Sequence, residues 1–269
     1  MPSAAEALLL GGAVANVGRV YRVGDTVRRP VAPHRRTTHA VLDHLADVGF
    51  HGSPRLLQVD RATETLSWIH GQAARSPLPD WALGEPLLKS VGRLVRGFHD
   101  AMVSFPMQDD DWPVPVPGAH RGALVSHNDL HPGNIICADG VAVGLIDFDL
   151  ASPGSIAWDL ATVLRCWAPL VADVDLPLPL RVGATGGMDD VRFRRAAMLL
   201  DGYGLGSTER RNVVEALIDN HDWTYRIVTD AVDDGHAGFN DYWDTVALQT
   251  GRAREWILAH LPELRLALA

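Results

Sequence analysis

Short runs of alternating polarity, separated by glycine and proline, fill most of the first 70 residues. Alternation over four or five residues is typical of half-buried β-strands. The turn dipeptide Gly24-Asp25 lies between two such runs and predicts a β-hairpin. One helix is predicted between Thr38 and Gly49, because apolar side chains recur there at helical spacing. The predicted strands cover residues 7–10, 19–23, 26–29, 55–59 and 65–69.

After the stretch Gly71–Pro79, which combines proline, glycine and serine, the apolar positions change to a three- and four-residue spacing. This change predicts a linker that is followed by amphipathic helices. The predicted helices cover residues 86–102, 158–168, 191–203, 208–233 and 239–267. The order predicts an α+β protein of two lobes. Residues 1–70 form a small antiparallel sheet lobe with one helix, and residues 71–269 form a larger, mainly helical lobe.

Composition argues against several classes of function. The chain has 269 residues, of which 47% are hydrophobic, and a net charge of −9. This negative charge argues against a nucleic-acid surface, which would carry a basic patch. Cys137 and Cys166 lie in apolar surroundings without a C-x-x-C spacing, so we expect a reducing, cytoplasmic location. We expect no signal peptide and no membrane partner, since no apolar stretch of roughly 18 residues occurs.

The strongest chemical signal is a loop with the pattern H-x-D-x(4)-N, made by His127, Asp129 and Asn134. An apolar strand follows this loop and leads into the triplet Asp147-Phe148-Asp149. Oxygen-bearing side chains of this kind suit phosphoryl transfer. One carboxylate orients the attacking hydroxyl, while an amide and a second carboxylate hold magnesium.

These motifs resemble the catalytic and metal-binding loops of the protein-kinase-like fold, especially those of the aminoglycoside phosphotransferase and choline kinase family. The resemblance implies that Asp129 is the catalytic residue and that Asn134 and Asp147 bind Mg2+. It gives His127 a structural role beneath the loop. It gives Asp159, near the start of the next predicted helix, the role of holding the loop backbone.

The resemblance also implies a site for ATP or GTP in the first lobe. Gly11 and Gly12, between two predicted strands, resemble the loop that covers the nucleotide, although the spacing G-x-G-x-x-G is absent. Trp68 and Ile69 stand where the adenine is expected. The family places a lysine on the third strand, and here that position is Arg28. A guanidinium matches phosphate oxygens well, so we expect Arg28 to bind the nucleotide phosphates.

The partner of that lysine in the family is a glutamate on the following helix, and His39 stands at this position. The loss of both the lysine and the glutamate favours an alternative of another class. In that alternative the chain is a nucleotide-binding, pseudokinase-like regulatory module.

The acceptor is expected to bind between the catalytic loop and the C-terminal helices. Asp219, Asp222 and Trp223 are the candidate residues, since clustered carboxylates suit a cationic substrate and aromatic rings suit a quaternary ammonium. We therefore predict an ATP-dependent O-phosphotransferase that acts on an aminoglycoside or a related amino-sugar natural product, with a role in antibiotic resistance. A choline, amino-alcohol or sugar kinase is the alternative within the same class. The sequence does not fix the oligomeric state.

Overall fold

The computed structural model describes residues 7–10, 18–31, 34–75, 78–107, 112–188 and 190–268. The strands of the N-terminal sheet are β1 (Leu8–Leu9), β2 (Tyr21–Val23), β3 (Thr26–Pro30), β4 (Leu56–Val59) and β5 (Thr63–Ser67). They form an antiparallel sheet in the order β1-β2-β3-β5-β4. The predicted hairpin is confirmed, since Val23 pairs with Thr26 across Gly24, whose φ is +60°.

The predicted helix of this region is α1, which covers Arg35–Asp47. Val41, Leu42 and Leu45 are buried as its apolar stripe requires. Val48, which falls on the same predicted stripe, is 45% exposed because the helix has already ended there.

Short strands also surround the candidate catalytic loop. They are β6 (Gln72–Ala73), β7 (Leu124–Ser126), β8 (Ile135–Ala138), β9 (Val141–Leu145) and β10 (Ser152–Gly154). One small sheet has the order β6-β8-β9, and β7 pairs with β10 in a second. The first sheet therefore ends at Ser67 and the next begins at Gln72. This order is compatible with a division at residue 70, and the division itself stays a prediction.

The remaining elements are mainly α-helices. They are α2 (Glu85–Met102), α3 (Ile156–Trp167), α4 (Leu178–Arg181), α5 (Val191–Tyr203), α6 (Ser207–Asp233) and α7 (Ala237–Leu268). All of them except the short α4, which was not predicted, follow the predicted ranges closely. None of the helices in the described part of the chain combines the length and the hydropathy that a membrane span requires.

Helix α2 packs against the candidate catalytic loop. The ring of Phe98 lies 6.2 Å from that of His127 and 5.8 Å from that of Phe148, and all three side chains are buried. Such aromatic contacts favour edge-to-face packing. The core of the helical region thus reaches both motifs that the sequence identifies.

Helices α2 and α5 approach each other closely through two glycines. A methyl group at Gly92 would collide with the backbone of Leu199 and Tyr203, and one at Gly202 would collide with the backbone of Lys89. Glycine is therefore required at this crossing, because any side chain would force the two helices apart.

We expect Gly92→Ala to lower the free energy of unfolding by about 1–3 kcal/mol, the usual effect of overpacking a tight contact. Gly251→Ala is the matched control, because Gly251 lies inside α7 with open space around it. There alanine should raise stability by about 0.5–1 kcal/mol through helix propensity. Urea denaturation measures both changes, and effects of the same sign would contradict the close packing of α2 on α5.

Candidate active site

Asp159, in the first turn of α3, holds the backbone of the candidate catalytic loop. Its fully buried carboxylate accepts hydrogen bonds from the backbone N–H groups of His127 and Asn128, both at 2.7 Å. His99 Nε2 donates to the same carboxylate at 3.0 Å. A buried carboxylate is tolerated only with such partners, so this part of the loop has little freedom to move. The structural role that the resemblance gave to Asp159 agrees with these contacts.

Asn128 then turns the chain. Its φ is +67°, in the left-handed region that asparagine adopts more readily than most residues. Its side-chain amide donates to Leu150 O at 2.7 Å and to Ser152 Oγ at 2.8 Å. After two buried residues the chain reaches Asp129, whose side chain is 29% exposed.

Asp129 and Asn134 are joined to each other within the loop. The Asn134 amide nitrogen donates to Asp129 Oδ2 at 2.8 Å and to the Asp129 carbonyl at 3.0 Å. Asn134 Oδ1 has no hydrogen bond to any described residue and remains available to a ligand. His131 Nε2 lies 3.7 Å from Asp129 Oδ2, which places a third polar group at this carboxylate.

His127 joins the catalytic loop to the strand that precedes Asp147. Its Nε2 donates to Ile146 O at 3.1 Å, and its Nδ1 accepts from the Asp129 N–H at 3.4 Å. Burial lowers the pKa of His127, which keeps the ring neutral and suited to this pair of bonds. The Ile146 N–H also donates to Asn134 O at 3.0 Å. These bonds place Asn134 beside the segment that begins with Asp147.

Asp147 and Asp149 meet a single buried arginine, Arg29 on β3. Arg29 Nη1 donates to Asp147 Oδ1 at 2.9 Å and to Asp149 Oδ2 at 3.1 Å, and Nη2 donates to Asp149 Oδ1 at 2.6 Å. The Arg29 side chain is 8% exposed, while those of Asp147 and Asp149 are 20% and 26% exposed. The fork of this guanidinium matches two carboxylates at once.

The other edge of Arg29 binds Glu64 on β5, which stands opposite Arg29 in the β3–β5 register. Arg29 Nε donates to Glu64 Oε1 at 2.7 Å, and His39 Nε2 of α1 donates to Glu64 Oε2 at 2.6 Å. The Glu64 side chain is fully buried. The cation on β3 is therefore paired with a glutamate on β5, and His39 of α1 holds that glutamate in place. Sequence reasoning missed Glu64, since the strand predicted there began at residue 65 and no motif marked this glutamate.

The charges of these groups act on one another strongly. Burial alone would lower the pKa of Arg29, but Asp149, Asp147 and Glu64 together hold it above its usual value. Burial raises the pKa of Asp149 to about 6, and Arg29 acts against that rise. Arg29 is therefore a permanent cation at this position.

The expectation for Arg28 needs a correction. Arg28 lies on the opposite face of β3, where its side chain is 56% exposed and Nη2 is 3.5 Å from Asp60 Oδ2. Successive strand residues point to opposite faces, so the arginine that reaches Asp147 is Arg29. Arg28 was expected there because alternation along a strand does not show which face is buried.

The other residues predicted to contact the nucleotide are Gly11, Gly12, Trp68 and Ile69. Gly11 and Gly12 fall outside the described residues. Trp68 is partly buried, with its backbone N–H bonded to Asp25 O at 2.8 Å and the Arg22 guanidinium 4.4 Å from its ring centre. Ile69 packs against Gly144 of β9. The adenine site at Trp68 and Ile69 stays a prediction.

Comparisons with known proteins agree with this geometry. The model of the phosphotransferase enzyme family, APH, matches residues 105–196, which include both motifs. The trifolitoxin immunity protein of Rhizobium leguminosarum bv. trifolii is 33% identical over 261 residues, a match that covers 93% of this chain and 95% of that protein.

The chain belongs to the phosphotransferase enzyme family.

Two solved structures show the same fold. A choline/ethanolamine kinase family protein from Mesorhizobium loti has a TM-score of 0.61 at 19% identity, covering 97% of this chain and 92% of its own. An amicoumacin kinase, solved with AMP-PNP, Ca2+ and Ami, has a TM-score of 0.62 at 13% identity, covering 93% and 88%. The predicted family and the two-lobed, kinase-like α+β fold are confirmed, and this phosphotransferase is a small-molecule kinase.

The residues expected to bind the acceptor of this phosphotransferase are already engaged. Asp222 accepts a fork from Arg254 of α7, with both bonds at 2.8 Å. Asp219 accepts from His120 Nε2 at 2.8 Å. Trp223 is 2% exposed, and its indole N–H donates to Pro115 O at 3.0 Å. Trp223 is therefore a core residue and not part of an aromatic box, because α6 turns this side chain inward.

The contrast between two adjacent arginines provides a test of the charge network. We expect Arg29→Met to lower the free energy of unfolding by on the order of 3 kcal/mol, because it leaves three carboxylates near one another without their cation. Arg28→Met should change it by less than about 0.5 kcal/mol, as is usual for an exposed side chain. Chemical denaturation at pH 7 measures both, and equal losses would show that the fold does not depend on the Arg29 contacts.

Proposed function

We propose that this phosphotransferase transfers the γ-phosphoryl group of ATP, together with Mg2+, to a hydroxyl of a small molecule. The observation that carries the proposal is the joining of the two motifs. Asp129 and Asn134 are bonded to each other, and bonds through Ile146 hold them beside Asp147. This arrangement has the parts that phosphoryl transfer requires, which are a hydroxyl-orienting carboxylate and oxygen ligands for a metal.

The local charge fits a divalent cation. One guanidinium, Arg29, faces the three carboxylates of Glu64, Asp147 and Asp149, which leaves two negative charges in excess. Asn134 Oδ1 and an oxygen of Asp147 would hold Mg2+. The described residues contain no group of three or more His, Cys, Asp or Glu side chains that could bind a metal alone. Phosphate oxygens of the nucleotide would complete the shell, as is usual for Mg2+, and the bound ion would neutralise charge on those phosphates.

Asp129 would act on the acceptor. Its Oδ2 is engaged by Asn134, while Oδ1 has no hydrogen bond to a described residue. That oxygen is free to accept a hydrogen bond from the acceptor hydroxyl and to align it for in-line attack. Asn134 fixes the carboxylate in one orientation, so little reorganisation is needed when the acceptor binds.

Arg29 would take the place that the resemblance gives to the strand lysine. Glu64 and His39 hold its Nε edge from behind. Its Nη1 and Nη2 atoms face Asp147 and Asp149, at the side where Mg2+ and the phosphates would lie. A guanidinium held in this way would bind phosphate oxygens through the donors that now contact Asp149.

We expect Asp129→Ala to reduce phosphate transfer by about 10²- to 10⁴-fold, the range typical for loss of a general acid–base group, while ATP binding is retained. A coupled ADP-release assay with MgATP and MgGTP, run against aminoglycosides, choline, amino alcohols and sugars, measures the transfer. Asp139→Asn is the matched control, because Asp139 is an exposed carboxylate with a φ of +49° that asparagine tolerates.

Two outcomes would contradict the proposal. Unchanged transfer in Asp129→Ala would show that another residue orients the hydroxyl. Nucleotide binding by the wild type without transfer to any acceptor would favour the regulatory module instead.

We infer further that the activity protects a cell from a toxic natural product. A relative that matches nearly the full chain is a trifolitoxin immunity protein. Asp219 and Asp222 do not favour an aminoglycoside acceptor, since both carboxylates have partners within the protein. Choline, amino alcohols and sugars remain alternatives that the acceptor panel distinguishes.

Expression in a trifolitoxin-sensitive strain tests this role. We expect the wild-type chain to permit growth at toxin concentrations that stop the empty-vector strain, and Asp129→Ala to abolish this protection. Protection by both proteins would indicate immunity through binding without phosphate transfer. Protection by neither would exclude trifolitoxin, and the same pair of strains would then be compared on the compounds that the enzyme phosphorylates.

A further inference from the structure

His131 is a polar side chain of the candidate catalytic loop that has no part in the mechanism described above. It stands two residues after Asp129, and its side chain is 44% exposed. Its Nε2 lies 3.7 Å from Asp129 Oδ2, the oxygen that already accepts a hydrogen bond from the Asn134 amide at 2.8 Å. Two nitrogens therefore face one carboxylate oxygen, while the other oxygen, Oδ1, has no partner among the described residues.

The tautomer of the His131 ring is set by the backbone. Its Nδ1 accepts a hydrogen bond from the Gly133 N–H at 3.0 Å. A ring nitrogen that accepts cannot carry the proton, and in a neutral imidazole the proton then lies on the other nitrogen. Nε2 is therefore a donor, and it is the ring nitrogen that lies beside Asp129.

The position of the ring is also fixed. His131 precedes the 3₁₀ turn Pro132–Asn134, and its carbonyl accepts from the Asn134 N–H at 2.9 Å. A methyl group at Gly133 would lie 2.6 Å from the ring atom Cε1 of His131. Glycine therefore leaves the space in which the imidazole packs against the turn. Both nitrogens that face Asp129 Oδ2 thus belong to residues of one short segment of chain.

Capping of this turn does not by itself require a histidine. Asparagine and aspartate side chains make the same hydrogen bond to the backbone two residues later, and they are the usual residues for it. The imidazole adds a second nitrogen on the far side of the ring, next to Asp129. Asn134, the other donor to Oδ2, would also hold Mg2+ through its Oδ1, so its orientation has to satisfy two partners. His131 Nε2 has no other partner among the described residues.

We infer that His131 is a positioning residue for Asp129. In the complex with MgATP and the acceptor, its Nε2–H donates to Asp129 Oδ2, and the carboxylate is then held by two donors. Oδ1 is left to accept the hydrogen bond of the attacking hydroxyl. Hydrogen bonds of catalytic groups are often long in the free enzyme and shorten in the reacting complex, which is consistent with the present distance of 3.7 Å. The inference rests on the proposed phosphate transfer and adds a residue to it.

Two substitutions separate the functions of the two ring nitrogens. His131→Asn places an amide oxygen near the position of Nδ1, which retains the bond from Gly133 and removes the donor to Asp129. His131→Gln has a longer side chain, so its amide nitrogen can reach the position of Nε2, while the bond from Gly133 is lost. The first variant therefore keeps the cap of the turn, and the second keeps the donor.

Both variants are assayed with MgATP and the acceptor that the panel identifies. We expect His131→Asn to lower kcat by about 10-fold or more, as for loss of a hydrogen bond to a charged group. The KM for ATP and the melting temperature should change little. His131→Gln should retain more of kcat, although its melting temperature falls.

His51→Asn is the matched control, because His51 is an exposed histidine of the loop between α1 and β4. It should leave kcat and the KM for ATP as they are in the wild type. A kcat for His131→Asn that equals or exceeds that of His131→Gln would show that His131 only caps the turn, and it would overturn the inference.

Histidine NMR tests the contact without any acceptor. In protein labelled with 15N-histidine at about pH 8, where an ordinary imidazole is neutral, long-range 1H–15N spectra show which ring nitrogen carries the proton. The signals of His131 are those that His131→Gln lacks. We expect the proton on Nε2, and we expect Asp129→Asn to change the shift of Nε2 more than that of Nδ1.

The spectra separate this inference from the proposed function. If no compound of the panel is phosphorylated, a proton on Nε2 whose shift depends on Asp129 supports the contact between the two side chains while the kinase proposal fails. A proton on Nδ1, or an Nε2 shift that Asp129→Asn leaves unchanged, overturns the role of His131 even where phosphate transfer is found.

Discussion

The architecture of this phosphotransferase depends on keeping the guanidinium of Arg29 among carboxylates from separate parts of the chain. Glu64 comes from the neighbouring strand, whereas Asp147 and Asp149 lie 118 and 120 residues after Arg29 in the chain. Removing these charges from water is costly, and only close, multiple hydrogen bonds compensate. Arginine suits the position because it stays charged and offers donors along two edges. A lysine, as a single point charge, could not contact Glu64 and both aspartates in this way.

A second network has to be satisfied at the same time. Asp159 fixes the start of the candidate catalytic loop through the backbone of His127. The His127 ring in turn bonds to the carbonyl of Ile146, the residue before Asp147. The neutral state of His127 matters here, because one ring nitrogen must donate while the other accepts. The candidate catalytic loop and the segment Asp147–Asp149 are thus positioned by separate buried groups, and Phe98 of α2 packs against both. This arrangement explains how a loop of turn-forming residues becomes a rigid site.

Local patterns predicted the elements well and the contacts between them poorly. The range of α5 and the β2–β3 hairpin could be predicted because periodicity and turn residues act within a few positions. The choice between Arg28 and Arg29 could not be predicted in this way, because strand alternation shows which residues share a face but not which face is buried. That choice is made by Glu64, 35 residues away. Likewise, the spacing of Asp219 and Asp222 placed them near each other, but it gave no indication that Arg254, 32 residues beyond Asp222, binds that carboxylate.

The same reasoning shows why net charge is a poor guide to the acceptor. The net charge of the chain is −9, which is compatible with a cationic substrate. Yet carboxylates on α6 that could attract a cation are bound by arginines of α7, as in the pairs Glu215–Arg265 and Asp222–Arg254. Exposed charges are also screened over about 8 Å at physiological salt, whereas a buried charge is screened much less. The electrostatic preference of the acceptor site is therefore set by the charges that remain uncompensated close to Asp129.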